Sequence, residues 1–158
     1  MNGYRTRKTY SMQVQGSPEQ IFPLLCPVRE YEWIEPWQCD IVFSESGVAE
    51  QDCVFKTHFP EDGPEDTWVV SRYEPPVLIE FVRINQLRSS RFSISLERGD
   101  DGTTRLNWTQ IFTGLSPEGN ELVKRITDES YREKISMRER QINHFLSTGA
   151  MLKCIVER

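Results

Sequence analysis

The sequence predicts an α+β protein, an antiparallel sheet of about seven strands joined to one long C-terminal helix. Three observations predict it. From residue 39 to 113, short segments alternate apolar and polar side chains with period two and stop at Gly, Pro or Asp turns. Residues 117–147 carry no proline after Pro117 and one glycine, Gly119. Strands follow one another with short connections and without β-α-β alternation, which excludes a parallel nucleotide-binding sheet.

Residues 7–15, RKTYSMQVQ, form the first strand, with Tyr10, Met12 and Val14 on one side. A helix start follows at GSPEQ. Ser17 is a good N-cap, Pro18 suits the first helical position, and Gln20 can reach back in a capping box. Ile21, Phe22, Leu24, Leu25 and Val28 supply a core face, while Pro23 and Pro27 divide the segment into two short helices over 18–34. Further strands are expected at 40–44, 53–59, 67–74, 77–84, 91–98 and 104–113. GDDG joins the last two and is the strongest hairpin signal in the chain.

Residues 117–147 predict one unbroken helix of about 30 residues, about 45 Å long. Ser116 opens it and Gly149 is its C′ residue. Its apolar seam runs Tyr131, Ile135, Ile142, Phe145, Gly149, and Arg138 falls on that stripe. Two readings of Arg138 stand: it snorkels or pairs with a carboxylate such as Glu80 or Glu97, or it meets an anionic or carbonyl group in a cavity. The other charges of REKISMRER are assigned to a solvated flank. Gln110 poses the same choice. It sits among Leu106, Trp108 and Phe112 on the apolar face of a strand, and either bonds a neighbour or a water, or lines a pocket.

The bulk numbers describe one domain spanning 1–158, of ordinary globular composition, with net charge −5. Basic residues are scattered among acids, so neither nucleic acid nor an anionic membrane is an expected partner. No apolar run approaches the ~20 residues a membrane helix needs, and no leader-like h-region follows the N-terminus. A cytoplasmic protein is expected, with Cys26, Cys39, Cys53 and Cys154 as reduced thiols. No C-x-x-C pair occurs, and the two histidines, His58 and His144, lie in segments of different type. No metal and no cofactor is expected. His58 alternates with Val54 and Lys56 and so faces outward; turned inward, it would be the best general base available. Glu61-Asp62 and Asp100-Asp101 are assigned to turn chemistry.

SPEQIFPLLCPVREYEWIEPW, SESGVAEQDCVFKTHF, WVVSRYEPPVLIEFVRI, DGTTRLNWTQIFTGLSPEGNEL and INHFLSTGAML carry a resemblance over residues 7–152. They resemble bacterial polyketide-cyclase/dehydrase-like proteins of the START-related, birch-pollen-allergen-like helix-grip superfamily. The resemblance implies a sheet curved around the long helix, with a cavity between them; a break in that helix would count against it. Its members include lipid carriers, hormone receptors, cyclases and chaperone activators. It implies wall positions at Phe92, Ile94, Leu96, Leu106, Trp108, Gln110 and Phe112, and at Trp68, Val70 and Arg72. Trp33 and Trp37 would stand near the mouth, with Tyr131 and Arg138 on the helix. The leading expectation is binding of a small hydrophobic molecule (lipid, polyketide-like or aromatic) with a polar or acidic end. The alternatives are a cyclase- or dehydrase-type enzyme in the same cavity and an interaction domain using the outer sheet face. A homodimer is compatible with all three.

Overall fold

The computed structural model describes residues 1–153, so Cys154 lies outside the described residues. Strands β1 (Arg5–Gln15), β2 (Asp40–Phe43), β3 (Val54–Thr57), β4 (Asp66–Glu74), β5 (Leu78–Ile84), β6 (Arg88–Arg98) and β7 (Thr103–Gly114) form one sheet. Its order is β1-β7-β6-β5-β4-β3-β2, and every neighbouring pair is antiparallel. Strands β2 to β7 are the expected meander. The first strand joins at the β7 edge, with Tyr10 opposite Trp108 and Met12 opposite Leu106.

The helix start at Ser17 forms as read. Gln20 N–H donates to Ser17 Oγ at 3.2 Å and Ser17 N–H to Gln20 Oε1 at 2.9 Å, opening α1 (Pro18–Ile21). Two 3-10 turns, Phe22–Leu25 and Glu30–Glu32, complete the segment. The side chains of Ile21, Phe22, Leu24, Leu25 and Trp33 seal one end of the core.

Two expectations are corrected here. Arg72 does not line the inner face. A register shift between Val70 and Arg72 breaks the alternation of β4, so Arg72 turns to solvent and pairs with Glu74 at 3.0 Å. Tyr73 packs inward instead, 5.4 Å from Phe22 between ring centres.

The C-terminal helix is also not continuous. It divides into α2 (Pro117–Lys124) and α3 (Asp128–Thr148). Thr127 is the cause: its Oγ1 accepts from Ser130 N–H while Ser130 Oγ accepts from Thr127 N–H, both at 3.0 Å, a capping box inside the predicted helix. Ser116 caps α2 through Gly119 N–H at 3.0 Å. Gly119 lies so close to the β5–β6 turn that a Cβ there would come within 1.7 Å of the Leu87 carbonyl oxygen. Gly149 ends α3 in the left-handed conformation, φ 72°, as expected.

Along its length α3 is fastened to β1, an edge strand whose outer backbone groups have no neighbouring strand among the described residues. Glu139 accepts from Gln13 N–H at 2.8 Å and from Tyr10 Oη at 2.6 Å. Asn143 accepts from Gln15 N–H at 2.9 Å and donates to the Gln13 carbonyl at 3.0 Å. Lys8 reaches Asp128 at 2.7 Å near the helix start. Side chains of α3 thus take the place of a missing strand. Glu139, expected on the solvated flank, is a clamp. Fastened at one edge, the helix leaves space above the middle strands.

Candidate binding cavity

That space is a cavity of about 650 Å³ between α3 and the sheet. Its floor is an aromatic strip across five neighbouring strands, β3 to β7: Phe55 lies directly opposite Trp68 and Phe81 opposite Phe92, and the other neighbours are offset by one inward position. Phe55 stacks on Trp68 at 5.1 Å, Trp68 meets Phe81 edge-on at 5.7 Å, Phe81 stacks on Phe92 at 5.0 Å, and Phe92 on Trp108 at 6.0 Å. Such pairs contribute about 0.5–1.5 kcal/mol each beyond burial. Of the expected positions, Trp33, Trp37, Trp68, Phe92, Ile94, Trp108, Gln110, Phe112, Tyr131 and Arg138 line this cavity, whereas Val70, Leu96 and Leu106, expected on its wall, are buried in the core and do not line it. All four tryptophans of the chain are among the lining residues.

Gln110 satisfies both readings in part. It lines the cavity and donates from Nε2 to Ser90 Oγ of the adjacent strand at 2.7 Å. Arg138 is half-buried and donates to Gln141 Oε1 at 2.8 Å, one turn along α3. Glu80 is not its partner: it faces Arg91 at 3.6 Å, and Glu97 is exposed. The carboxylate that responds to Arg138 is Glu30, from the second 3-10 turn. Burial pushes the Glu30 carboxyl up to about 7, and the Arg138 guanidinium pulls it partly back. Both residues line the cavity.

At another part of the wall stands an ion cluster that the sequence reading missed. Arg88 forks onto Asp66 with contacts of 2.7 and 2.9 Å. Arg83 Nη2 reaches Asp66 at 2.5 Å and Asp62 at 3.0 Å, and its guanidinium lies 4.2 Å from the centre of the Trp68 ring. Lys134 of α3 closes onto Asp62 at 3.1 Å. Burial works against the Asp62 carboxylate, but Arg83 and Lys134 outweigh it and hold its pKa below the usual value. Asp62 is therefore more than a turn residue, and the Glu61-Asp62 assignment is corrected. A signal for Arg88 was present: stepping back by twos from Ile94 and Phe92 passes Ser90 and reaches Arg88. Leu78 to Ile84 is apolar on both faces, so alternation did not single out Arg83.

This order of strands and helices is shared with solved structures. A point mutant of norcoclaurine synthase from Thalictrum flavum, in complex with a transition state analogue, superposes with TM-score 0.66 at 12% identity, over 94% of this chain and 98% of that one. The protein MLL2253 from Mesorhizobium loti superposes with TM-score 0.62 at 16% identity, over 90% and 97%. CalU16 from Micromonospora echinospora gives 0.56 at 11%, over 92% and 84%. The chain has the helix-grip fold. No family model matches it, and no curated protein matches it in sequence.

The helix-grip fold thus tolerates the break at residues 125–127, contrary to the expectation that an interrupted helix would count against it. His58 is exposed just beyond β3, which removes it as an internal base. His144 is half-buried on α3 and does not line the cavity. Cys26, Cys39 and Cys53 are free thiols. Among the described residues, no cluster of His, Cys, Asp or Glu has the geometry to hold a metal ion, and no helix is long and apolar enough to cross a membrane.

Proposed function

We propose that this chain binds a small hydrophobic molecule, lipid, polyketide-like or aromatic, in the cavity between sheet and α3. The carrying observation is the cavity itself: about 650 Å³, floored by five aromatic rings in series. Sites for small organic ligands have this construction, with volumes of about 300–1,000 Å³. Native mass spectrometry of the purified protein tests the reading by looking for a bound small molecule. Ile135, on the cavity side of α3, provides the control. Ile135→Trp fills the space, so the adduct should vanish while the fold persists. An adduct that survives this substitution overturns the reading.

Glu30 favours a second reading, a cyclase- or dehydrase-type enzyme. A carboxyl that titrates near neutral pH can take a proton from carbon beside a carbonyl and return it, and Arg138 favours its ionised form. Norcoclaurine synthase, a helix-grip protein solved with a transition state analogue, supports looking for chemistry here. The test is deuterium exchange at the α-carbon of a bound ketone, followed by NMR. Glu30→Gln should abolish exchange and retain binding. Equal exchange in both proteins overturns the catalytic reading.

A further inference from the structure

The cavity wall is charged as well as aromatic, and its charges close on themselves. Four cations line it, Arg83, Arg88, Lys134 and Arg138, together with four carboxyl groups, Glu30, Glu61, Asp62 and Glu133. Each of the four cations has a carboxyl group of this chain to meet. Arg83 and Arg88 share Asp66, which is 1% exposed. Arg83 and Lys134 share Asp62. Glu30 answers Arg138. Glu61 and Glu133 are exposed, where water screens them.

Such a wall has little to give an ion. In a buried network, taking one partner away strands the other where it is poorly solvated. A ligand carboxylate that captures Arg83 or Arg138 makes one ion pair by breaking another. An ammonium group that captures Asp62 does the same to Lys134. The aromatic floor offers a cation no better seat. The Arg83 guanidinium already lies 4.2 Å from the centre of the Trp68 ring. Phe81, Phe92 and Trp108 stack in series, which turns much of their π faces to one another and away from a ligand cation.

Resting on the binding reading above, we infer that the cavity selects an uncharged ligand: a hydrophobic molecule whose polar end is an alcohol, ester or ketone, and not an acid or an amine. The selector is the closure of the wall's own charges, Arg83 and Arg88 on Asp66, Lys134 on Asp62, and Arg138 with Glu30. An uncharged polar end disturbs none of these pairings.

The test uses three pyrenes of similar shape, 1-pyrenebutanol, 1-pyrenebutyric acid and 1-pyrenebutylamine. Binding to the full-length protein is read by energy transfer from its four tryptophans, at pH 8, above the Glu30 titration near 7. The alcohol should bind at least about tenfold more tightly than either ion, since each ion gives up water without gaining an unclaimed partner. This comparison needs no variant. Changing the wall charge should then bend the selectivity in either direction. Glu30→Gln removes the carboxyl that answers Arg138 and should raise the affinity for the acid, relative to the alcohol, several-fold. Lys134→Met, at an exposed position, takes a cation from Asp62 and should raise the relative affinity for the amine several-fold. Thermal melts establish that each variant is folded. An acid or amine bound by the parent as tightly as the alcohol overturns the inference, and so do ion affinities that ignore both substitutions; either result leaves the cavity reading standing. Absence of energy transfer from all three probes overturns the cavity reading itself.

Discussion

Glu30 concentrates the residue-scale chemistry of the cavity. Its carboxyl titrates near 7 in the folded protein against 4.5 for the free group. Between those values the folded state holds a proton that the unfolded state has lost. Stability must therefore fall as pH rises from about 4.5 to about 7, then level off. Glu30→Gln should remove this decline, because the amide never ionises. At pH 8 the variant should exceed the parent by up to about 3 kcal/mol, since each tenfold change in proton affinity is worth about 1.36 kcal/mol. Glu30 is half-buried, which places the value below that ceiling. At pH 4 the advantage should disappear. Urea unfolding at the two pH values measures it, and a pH-independent difference would show that Glu30 ionises freely in the fold.

At the scale of elements, the attachment of α3 to β1 depends on a few polar side chains. Glu139→Ala removes the acceptor for both Tyr10 Oη and Gln13 N–H. Hydrogen bonds to a charged group contribute about 1.5–3 kcal/mol, so a loss of that order is expected. Hydrogen exchange should quicken at the Gln13 amide before it does so in β5 or β6, which lie inside the sheet; uniform quickening would mean that Glu139 supports the fold only globally. The seat of α2 depends on the missing side chain of Gly119. Gly119→Ala forces a Cβ against the Leu87 carbonyl, and overpacking of this kind costs about 1–3 kcal/mol. A neutral Gly119→Ala in a chemical melt would show that α2 can shift freely.

The whole molecule couples stability to occupancy. A ligand that binds only the folded state at a hundred times its Kd adds about 2.7 kcal/mol, raising Tm by several degrees for a domain of this size. Ile135→Trp should lose that response, and its own Tm should stand level with or above that of the empty parent, because the indole fills a void whose lining lacks contacts. A variant that still gains Tm with ligand would place the binding site elsewhere. The open volume and the fastening of α3 are linked. A helix bonded along β1 cannot also descend onto β4 and β5.

The sequence by itself determined the strands, the short helices after β1, and which side of most strands points inward. Those features depend on local periodicity and capping, and periodicity is written in consecutive residues. Alternation also put Phe92, Trp108 and Gln110 on the same faces as plainly apolar neighbours; that these faces border a cavity was implied by the family resemblance alone. The tertiary structure decided what local pattern could not carry. Arg72 and Tyr73 exchanged faces because one bulge shifts the phase of a strand, and no single residue announces a bulge. Thr127 divided the last helix with a capping box that an unbroken run of helix-forming residues concealed. Glu30, Asp62, Arg83 and Lys134 come from four separate segments. Their charges acquire meaning only when folding brings those segments against one cavity, where burial and proximity set which carboxyl keeps its proton.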